Sequence, residues 1–263
     1  MEAMDNLPAV FQERMGEISS GALDIAAGES TILYLLPSYV KRFSERYSQI
    51  RLHLHNVTGR DGLGLLRSGD VDFAVGSMIE VPEDISYVPI FSYDPMLITP
   101  LDHPLARKQR VTLEDISPCG LILPPRHLST WHMVDLVFRK HGLNYHVVLE
   151  AGGWEVIKKF VELGLGVSIV TSICLTGSEQ LAAIPLCDYF PTRSYGVVMR
   201  KRTQLSPQAY RFVEMLDPDF ARHSHEERGG VGSRVAATPV KRRAYYPGHP
   251  NQIDFTGDDQ ALP

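Results

Sequence analysis

The chain has 263 residues, 44% of them hydrophobic and 22% charged, which is ordinary for a globular protein with room for one or two sizeable cores. A formal net charge of −5 argues against a global basic field for nucleic acid. No run approaches the roughly 20 apolar residues that cross a bilayer, the acidic first twenty residues lack an apolar signal core, and the odd set Cys119, Cys174 and Cys187 fits a reducing compartment better than a disulfide framework, so a cytoplasmic protein is expected.

Residues 1–20 read as a helix fragment with Leu7, Val10, Phe11 and Ile18 as contacts, ended by Gly21. Leu23, Ile25 and Ala27 alternate as in a strand. Ser30 and Thr31 stand where a helix takes its N-cap, and Ile32, Leu35, Leu36, Tyr39, Val40 and Phe43 then recur on one helical face. Pro37 inside that pattern predicts a kink or a restart. Ile50, Leu52 and Leu54 alternate with Arg51, His53 and His55 in a half-buried strand. Thr58 caps a short helix ending at Gly69, residues 71–76 form a buried strand, and 86–91 and 95–99 are further strands. This β-α-β-α-β order predicts a parallel sheet flanked by helices.

The proline-bracketed turn 100–104 is taken as the first crossing between lobes. A short helix over 111–117 and a strand over 121–123 follow, then a loop over 124–128 and a helix capped by Ser129 or Thr130, running to about His141 and stopped by Gly142. Residues 145–151 form a strand broken by Gly152 and Gly153; the next helix presents Val156, Ile157, Phe160 and Val161 on one face and ends at Gly164 and Gly166 before a strand over 167–172. Residues 181–186 and 195–201 are strands, the second returning the chain to the first lobe, and Ser206-Pro207 opens a helix carrying Tyr210, Phe212, Val213 and Leu216. From Ala221 the period is lost, which predicts a disordered tail.

The expected fold is α/β: two Rossmann-like lobes joined by two crossovers, a clamshell of the periplasmic-binding-protein type. Lobe I covers 21–98 with 195–220, lobe II 99–194, and the tail 221–263. Open α/β sheets bind ligands at the carboxyl ends of their strands, and helices starting there offer unpaired N–H groups to an anion. Ligand contacts are therefore expected from Ser30, Thr31 and Thr58 in the first lobe, and from Arg126, His127, Ser129, Thr130, Gly152, Gly153 and Thr171 in the second. Arg126 and His127 would add positive charge; Gly152 and Gly153 would admit a close backbone approach.

Other chemistry finds little support. His53 and His55 face one way from their strand, but no cysteine or carboxylate stands at a usual metal-ligand spacing, and His223 and His225 fall in the tail. There is no G-x-S-x-G elbow, and Gly59-x-x-Gly62-x-Gly64 is neither a phosphate loop nor a dinucleotide fingerprint. Neither an enzyme nor a resident cofactor or metal is expected. The basic run Lys241, Arg242, Arg243 reads as solvated.

Four stretches together resemble the effector-binding domain of LysR-type transcriptional regulators: YLLPSYVKRFSERY within the opening strand–turn–helix, LLRSGDVDFAVG (65–76), DHPLA (102–106) and WEVIKKFVELGLGVSIV (154–170). The likeness covers about 21–220 and looks nearest to the sulfur-assimilation branch. It implies a small anionic effector, a homodimer or higher oligomer, no membrane partner, and DNA contact only indirectly or through an N-terminal winged helix-turn-helix that does not precede the match here. Residues 1–20 would then be the remnant of a linker helix. It also implies that threonines lining the sulfur regulators' anion site are replaced here by Gly28, Pro125 and Gly152, which favours an effector larger than sulfate. A solute-binding protein of a transport system is the alternative the clamshell allows.

Overall fold

A computed structural model describes residues 20–220 and 241–243. The linker-helix expectation for 1–20 lies outside this range except for Ser20, as do His223, His225 and most of the tail. The chain divides into two units, which meet in sequence at Tyr93/Asp94 and again at Thr192/Arg193.

In the first unit, β1 (Gly21–Ala27) pairs in parallel with both β2 (Ile50–Asn56) and β3 (Phe73–Gly76). On the far side of β3 lie β10 (Arg193–Arg200), antiparallel to β3, and β4 (Ile85–Tyr93), antiparallel to β10. The sheet order is β11-β4-β10-β3-β1-β2, with β11 (Lys241–Arg243) parallel to β4. This short strand corrects the reading of 221–263 as wholly disordered. It gives backbone partners to the outer edge of β4, a role that needs no side-chain period and so leaves none in the sequence.

Helix α1 (Pro37–Arg46) and α6 (Pro207–Leu216) cover one sheet face. The reason is the apolar stripe read from the sequence: Leu35, Leu36, Tyr39 and Phe43 are all buried, and the Phe212 ring stands 5.2 Å from Phe43 and 5.9 Å from Phe73. Each such fully buried side chain is worth roughly 1.5–3 kcal/mol of transfer free energy. Helix α2 (Gly59–Ser68) covers the other face through Leu66, against Ala26, Val71, Ile85 and Val198. Ser206 caps α6: its hydroxyl accepts from Ala209 N–H and donates to Asp72 Oδ1 at 2.8 Å.

In the second unit, β5 (Pro95–Pro100) pairs antiparallel with β8 (Ser168–Thr171) and with β9 (Leu181–Pro185). Strand β6 (Gly120–Leu123) runs parallel to β7 (His146–Glu150) and meets the residue before β8 in a parallel bridge, Leu121 to Val167. The expected crossing is the turn 100–104, with lobe I running to 98; instead β5 belongs wholly to the second unit. Its six residues are buried, and both of its neighbours come from that unit, a pairing that periodicity cannot reveal. A short helix α3 (Leu113–Ile116) opens with a reciprocal capping box between Thr112 and Asp115. The core joins Leu121, Leu123, Trp131, Phe138, Val167 and Ile169, drawn from the strands and from α4 (Ser129–Lys140).

Helix α5 (Trp154–Glu162) departs from its expected face. Ile157 and Val161 are buried as read, but Val156 is 45% and Phe160 37% exposed, while Lys158 is buried in their stead. An ion-pair cluster described below holds that lysine inside.

Candidate functional site

Because β1, β2 and β3 are parallel, their carboxyl ends at Ala27, Asn56 and Gly76 lie on one edge of the first sheet. The chain leaves β1 through Gly28, whose carbonyl accepts from the N–H of Thr31 at 2.9 Å and of Ile32 at 3.0 Å. Helical backbone has already begun at Glu29. Ser30 therefore has helical dihedrals (φ −61°, ψ −36°) and its side chain makes no capping hydrogen bond, which corrects the capping role expected of Ser30 and Thr31. Thr31 is buried and opens a π-helical turn, Thr31–Leu35, closed by Leu36 N–H donating five residues back to Thr31 O at 2.9 Å. Wide turns of this kind recur at functional positions, and Pro37, which brings no N–H to the ladder, starts the next helix directly after it. Thr58 holds the N-cap position of α2 on the same edge, but its hydroxyl donates to Asp61 Oδ2 at 2.6 Å instead of accepting from a backbone N–H.

The second unit repeats the arrangement. Strands β6, β7 and β8 point one way, so Leu123, Glu150 and Thr171 end on a common edge. Three of the expected elements gather there. Ser129 and Thr130 are the first two residues of α4, and the N-cap position falls to Leu128 (φ −88°, ψ 146°), which has no side-chain acceptor; neither hydroxyl residue caps as expected. Gly153 occupies the N-cap of α5 at φ 79°, a left-handed angle that favours glycine, and its carbonyl accepts from Ile157 N–H at 3.1 Å. A Cβ placed on Gly152 would meet nothing within 4 Å. Thr171 is buried at the end of β8 opposite Pro95. Arg126 stacks its guanidinium 4.8 Å from the centroid of the Trp131 ring, so its charge is carried by a loop that is itself pinned; His127 beside it is exposed.

Next to this edge, Lys158 Nζ donates to Glu179 Oε1 at 2.8 Å, to Glu155 Oε1 at 2.7 Å and to the carbonyl of Cys174 at 2.7 Å. Burial pushes the Glu179 carboxyl up, but the Lys158 ammonium and the N–H of Thr176 outweigh it and bring its pKa down to about 2. Cys174, closed off between them, donates its thiol to Thr171 O at 3.2 Å; burial raises that thiol to about 12 and keeps it neutral. The cluster ties α5 to the segment leaving β8, which holds Thr171 and the start of α5 in a fixed relation. Nothing in the sequence spacing announced this pair, because Lys158 and Glu179 lie 21 residues apart across a strand.

A second grouping that the sequence left incomplete lies in the first unit. Asp24 on β1 stands opposite His53 on β2, and its Oδ1 is 3.1 Å from His53 Nδ1 and 2.8 Å from His55 Nε2. The carboxylate not found by spacing comes from the neighbouring strand. A shallow hollow near the amino ends of β1 and β3, lined by Asp24, Asp72, Arg200 and Ser206 among others, is separate from the strand-end turns.

Among the described residues, no helix is long and apolar enough to cross a membrane. Residues 16–221 match the family model described as LysR substrate binding domain. The HTH-type transcriptional regulator CysB of Haemophilus influenzae is 29% identical over 206 residues, covering 77% of this chain; the chain spans 63% of that relative's length. The crystal structure of the cofactor-binding domain of the Cbl transcriptional regulator superposes with a TM-score of 0.72 at 26% identity, covering 80% of this chain and 94% of that one. The effector binding domain of QuiR in complex with shikimate shares the fold, with a TM-score of 0.68 at 17% identity over 78% of this chain and 99% of that one.

Proposed function

The chain belongs to the LysR substrate binding domain family, and we propose that it is the effector-sensing part of a cytoplasmic transcriptional regulator whose effector is a small organic anion. The observation that carries this reading is the gathering, in each unit, of helix starts and hydroxyl residues on the carboxyl edge of parallel strands. Backbone N–H groups at such starts lack intrahelical partners and favour negative charge. In the first unit the proposed contacts are the Ser30–Thr31 turn and Thr58. In the second they are Ser129, Thr130, the Gly152-Gly153 backbone and Thr171, with Arg126 and His127 supplying positive charge. The shikimate bound by QuiR is a carboxylate, which suits the same class of ligand. Occupancy would signal through unequal affinity for two conformations of the domain. DNA contact belongs to a helix-turn-helix segment elsewhere in the regulator, and the domain works as a homodimer.

The test is a thermal-shift screen of small carboxylates and oxyanions followed by calorimetric titration of each hit, since a ligand of the folded state raises the melting temperature. Ser30→Ala in the first unit and Thr171→Val in the second are each expected to weaken the hit by about three- to tenfold, the worth of one hydrogen bond. Hits that bind both variants as tightly as the unaltered chain would overturn the assignment of these contacts.

A further inference from the structure

We infer that Asp24, His53 and His55 form a binding site for a divalent transition metal of borderline softness, with zinc as its representative. The site follows from strand register. His53 and His55 are two residues apart on β2, so their rings leave the same face. The parallel pairing of β1 with β2 sets Asp24 against His53, and the carboxylate then leans between the two rings. The three ligand atoms all lie within 4.8 Å of one another, with Asp24 Oδ1 at 3.1 Å from His53 Nδ1 and 2.8 Å from His55 Nε2. Around a tetrahedral zinc, bonds of about 2.0–2.2 Å place neighbouring ligand atoms roughly 3.3 Å apart. Adjustments of several tenths of an ångström, well within side-chain freedom on an edge strand, would admit the ion.

The chemistry of the set selects the class of metal. Two imidazoles and one carboxylate suit zinc, copper or nickel, whereas calcium and magnesium demand more oxygen ligands than the site offers. In the metal-free state one carboxylate oxygen accepts from both rings, which needs a proton on Nδ1 of His53 and on Nε2 of His55. On binding, that nitrogen of each ring gives up its proton, which passes to the other ring nitrogen or to solvent, and the metal takes the vacated lone pair. The carboxylate is already held ionised, chiefly by the His55 hydrogen bond. Strand β1 is fixed beneath it: Asp24 N–H donates to Asp72 Oδ2 at 3.0 Å, and Asp72 is itself bonded to Ser206. All three side chains are partly exposed, and β2 is the outermost strand on its side of the sheet, so the ion has an open path and solvent completes its coordination.

The experiment titrates the full chain with zinc alone in a non-coordinating buffer, against a chromophoric chelator for stoichiometry and by imidazole nitrogen NMR for location. One equivalent is expected to bind and to shift the ring nitrogens of His53 and His55 selectively. His53→Gln and His55→Gln should each lower affinity by roughly tenfold or more, with His146→Gln on β7 leaving it unchanged. Because both rings are at the surface, circular dichroism of the variants should show an intact fold, and the NMR arm needs no variant. Zinc binding that survives His53→Gln and His55→Gln made together, shifts confined to other histidines or cysteines, or the lack of saturable binding would each overturn the proposal.

Discussion

Lys158 and Glu179 form an ion pair at 2.8 Å, with side chains only 4% and 9% exposed. The remaining ammonium hydrogens meet Glu155 and the Cys174 carbonyl, and the carboxylate also accepts from the N–H groups of Thr176 and Gly177. A pair this enclosed survives only because nearly every polar atom has a partner. The Glu179 carboxyl is lowered from its ordinary 4.5 to about 2. A depressed carboxylate contributes stability above its unfolded value and loses it as pH falls through its folded value. The contribution should therefore be whole above pH 4.5 and vanish towards pH 2, amounting to about 3 kcal/mol. Glu179→Gln removes the more enclosed of the two carboxylates that Lys158 meets and leaves the exposed Glu155 and the Cys174 carbonyl beside it; it should cost about 3 kcal/mol at neutral pH, while flattening the acid limb of a melting-temperature profile. An unchanged acid limb in the variant would show that other carboxylates carry it.

Gly196 is fixed by backbone contact. It sits at a register shift between β10 and β4, where a Cβ would run into the carbonyl oxygen of Val88 and lie 2.6 Å from Pro89 Cα. Both obstacles are main chain and cannot swing away. Gly196→Ala should destabilise the first unit by several kcal/mol, comparable to overpacking in a core, which costs about 1–3 kcal/mol or more. Chemical denaturation followed by tryptophan-independent far-ultraviolet dichroism measures it; a loss below about 0.5 kcal/mol, the scale of a neutral surface change, would mean that β4 shifts freely.

The alternation and helical periods located nearly every element, since burial on one face leaves a direct trace in residue order. Leu23, Ile25 and Ala27, or Leu35, Tyr39 and Phe43, are cases where the pattern and the core agree. Pairing leaves no such trace. That is why residue order alone does not assign β5 to the second unit or join Asp24 to His53. Capping departs from residue preference for a different reason. Ser30, Ser129 and Thr130 are residue types that favour a cap, yet the backbone turns one or two residues earlier, at Gly28 and at Leu128. The edge on which they stand was nonetheless legible, because strand direction follows from β-α-β order alone.

The outer face of α5 bears on assembly. Val156 and Phe160 are exposed one turn apart, and Leu163 just beyond the helix is 69% exposed. Apolar side chains grouped in this way mark an interaction surface more often than chance, and a homodimer is the proposed state. Phe160→Glu should move the chain from dimer to monomer at micromolar concentration without lowering its melting temperature beyond the loss of dimer. Sedimentation velocity decides: a dimer that persists in the variant would place the interface elsewhere.

Gly152 offers a test of effector size. Its surroundings hold no atom within 4 Å of a built Cβ, and its backbone does not need the left-handed region that Gly153 occupies. A threonine should fit there without strain and bring a hydroxyl to the strand-end edge, beside the start of α5. The added hydroxyl gives a small anion one more hydrogen-bond donor, so Gly152→Thr should strengthen binding of free sulfate by roughly three- to tenfold, the worth of one added hydrogen bond. The same change should weaken a larger carboxylate that uses the space glycine leaves. Calorimetric titration of both anions against both forms of the chain separates the outcomes. If sulfate affinity stays level and the larger anion is unaffected, Gly152 faces solvent and drops out of the proposed contact set of the second unit.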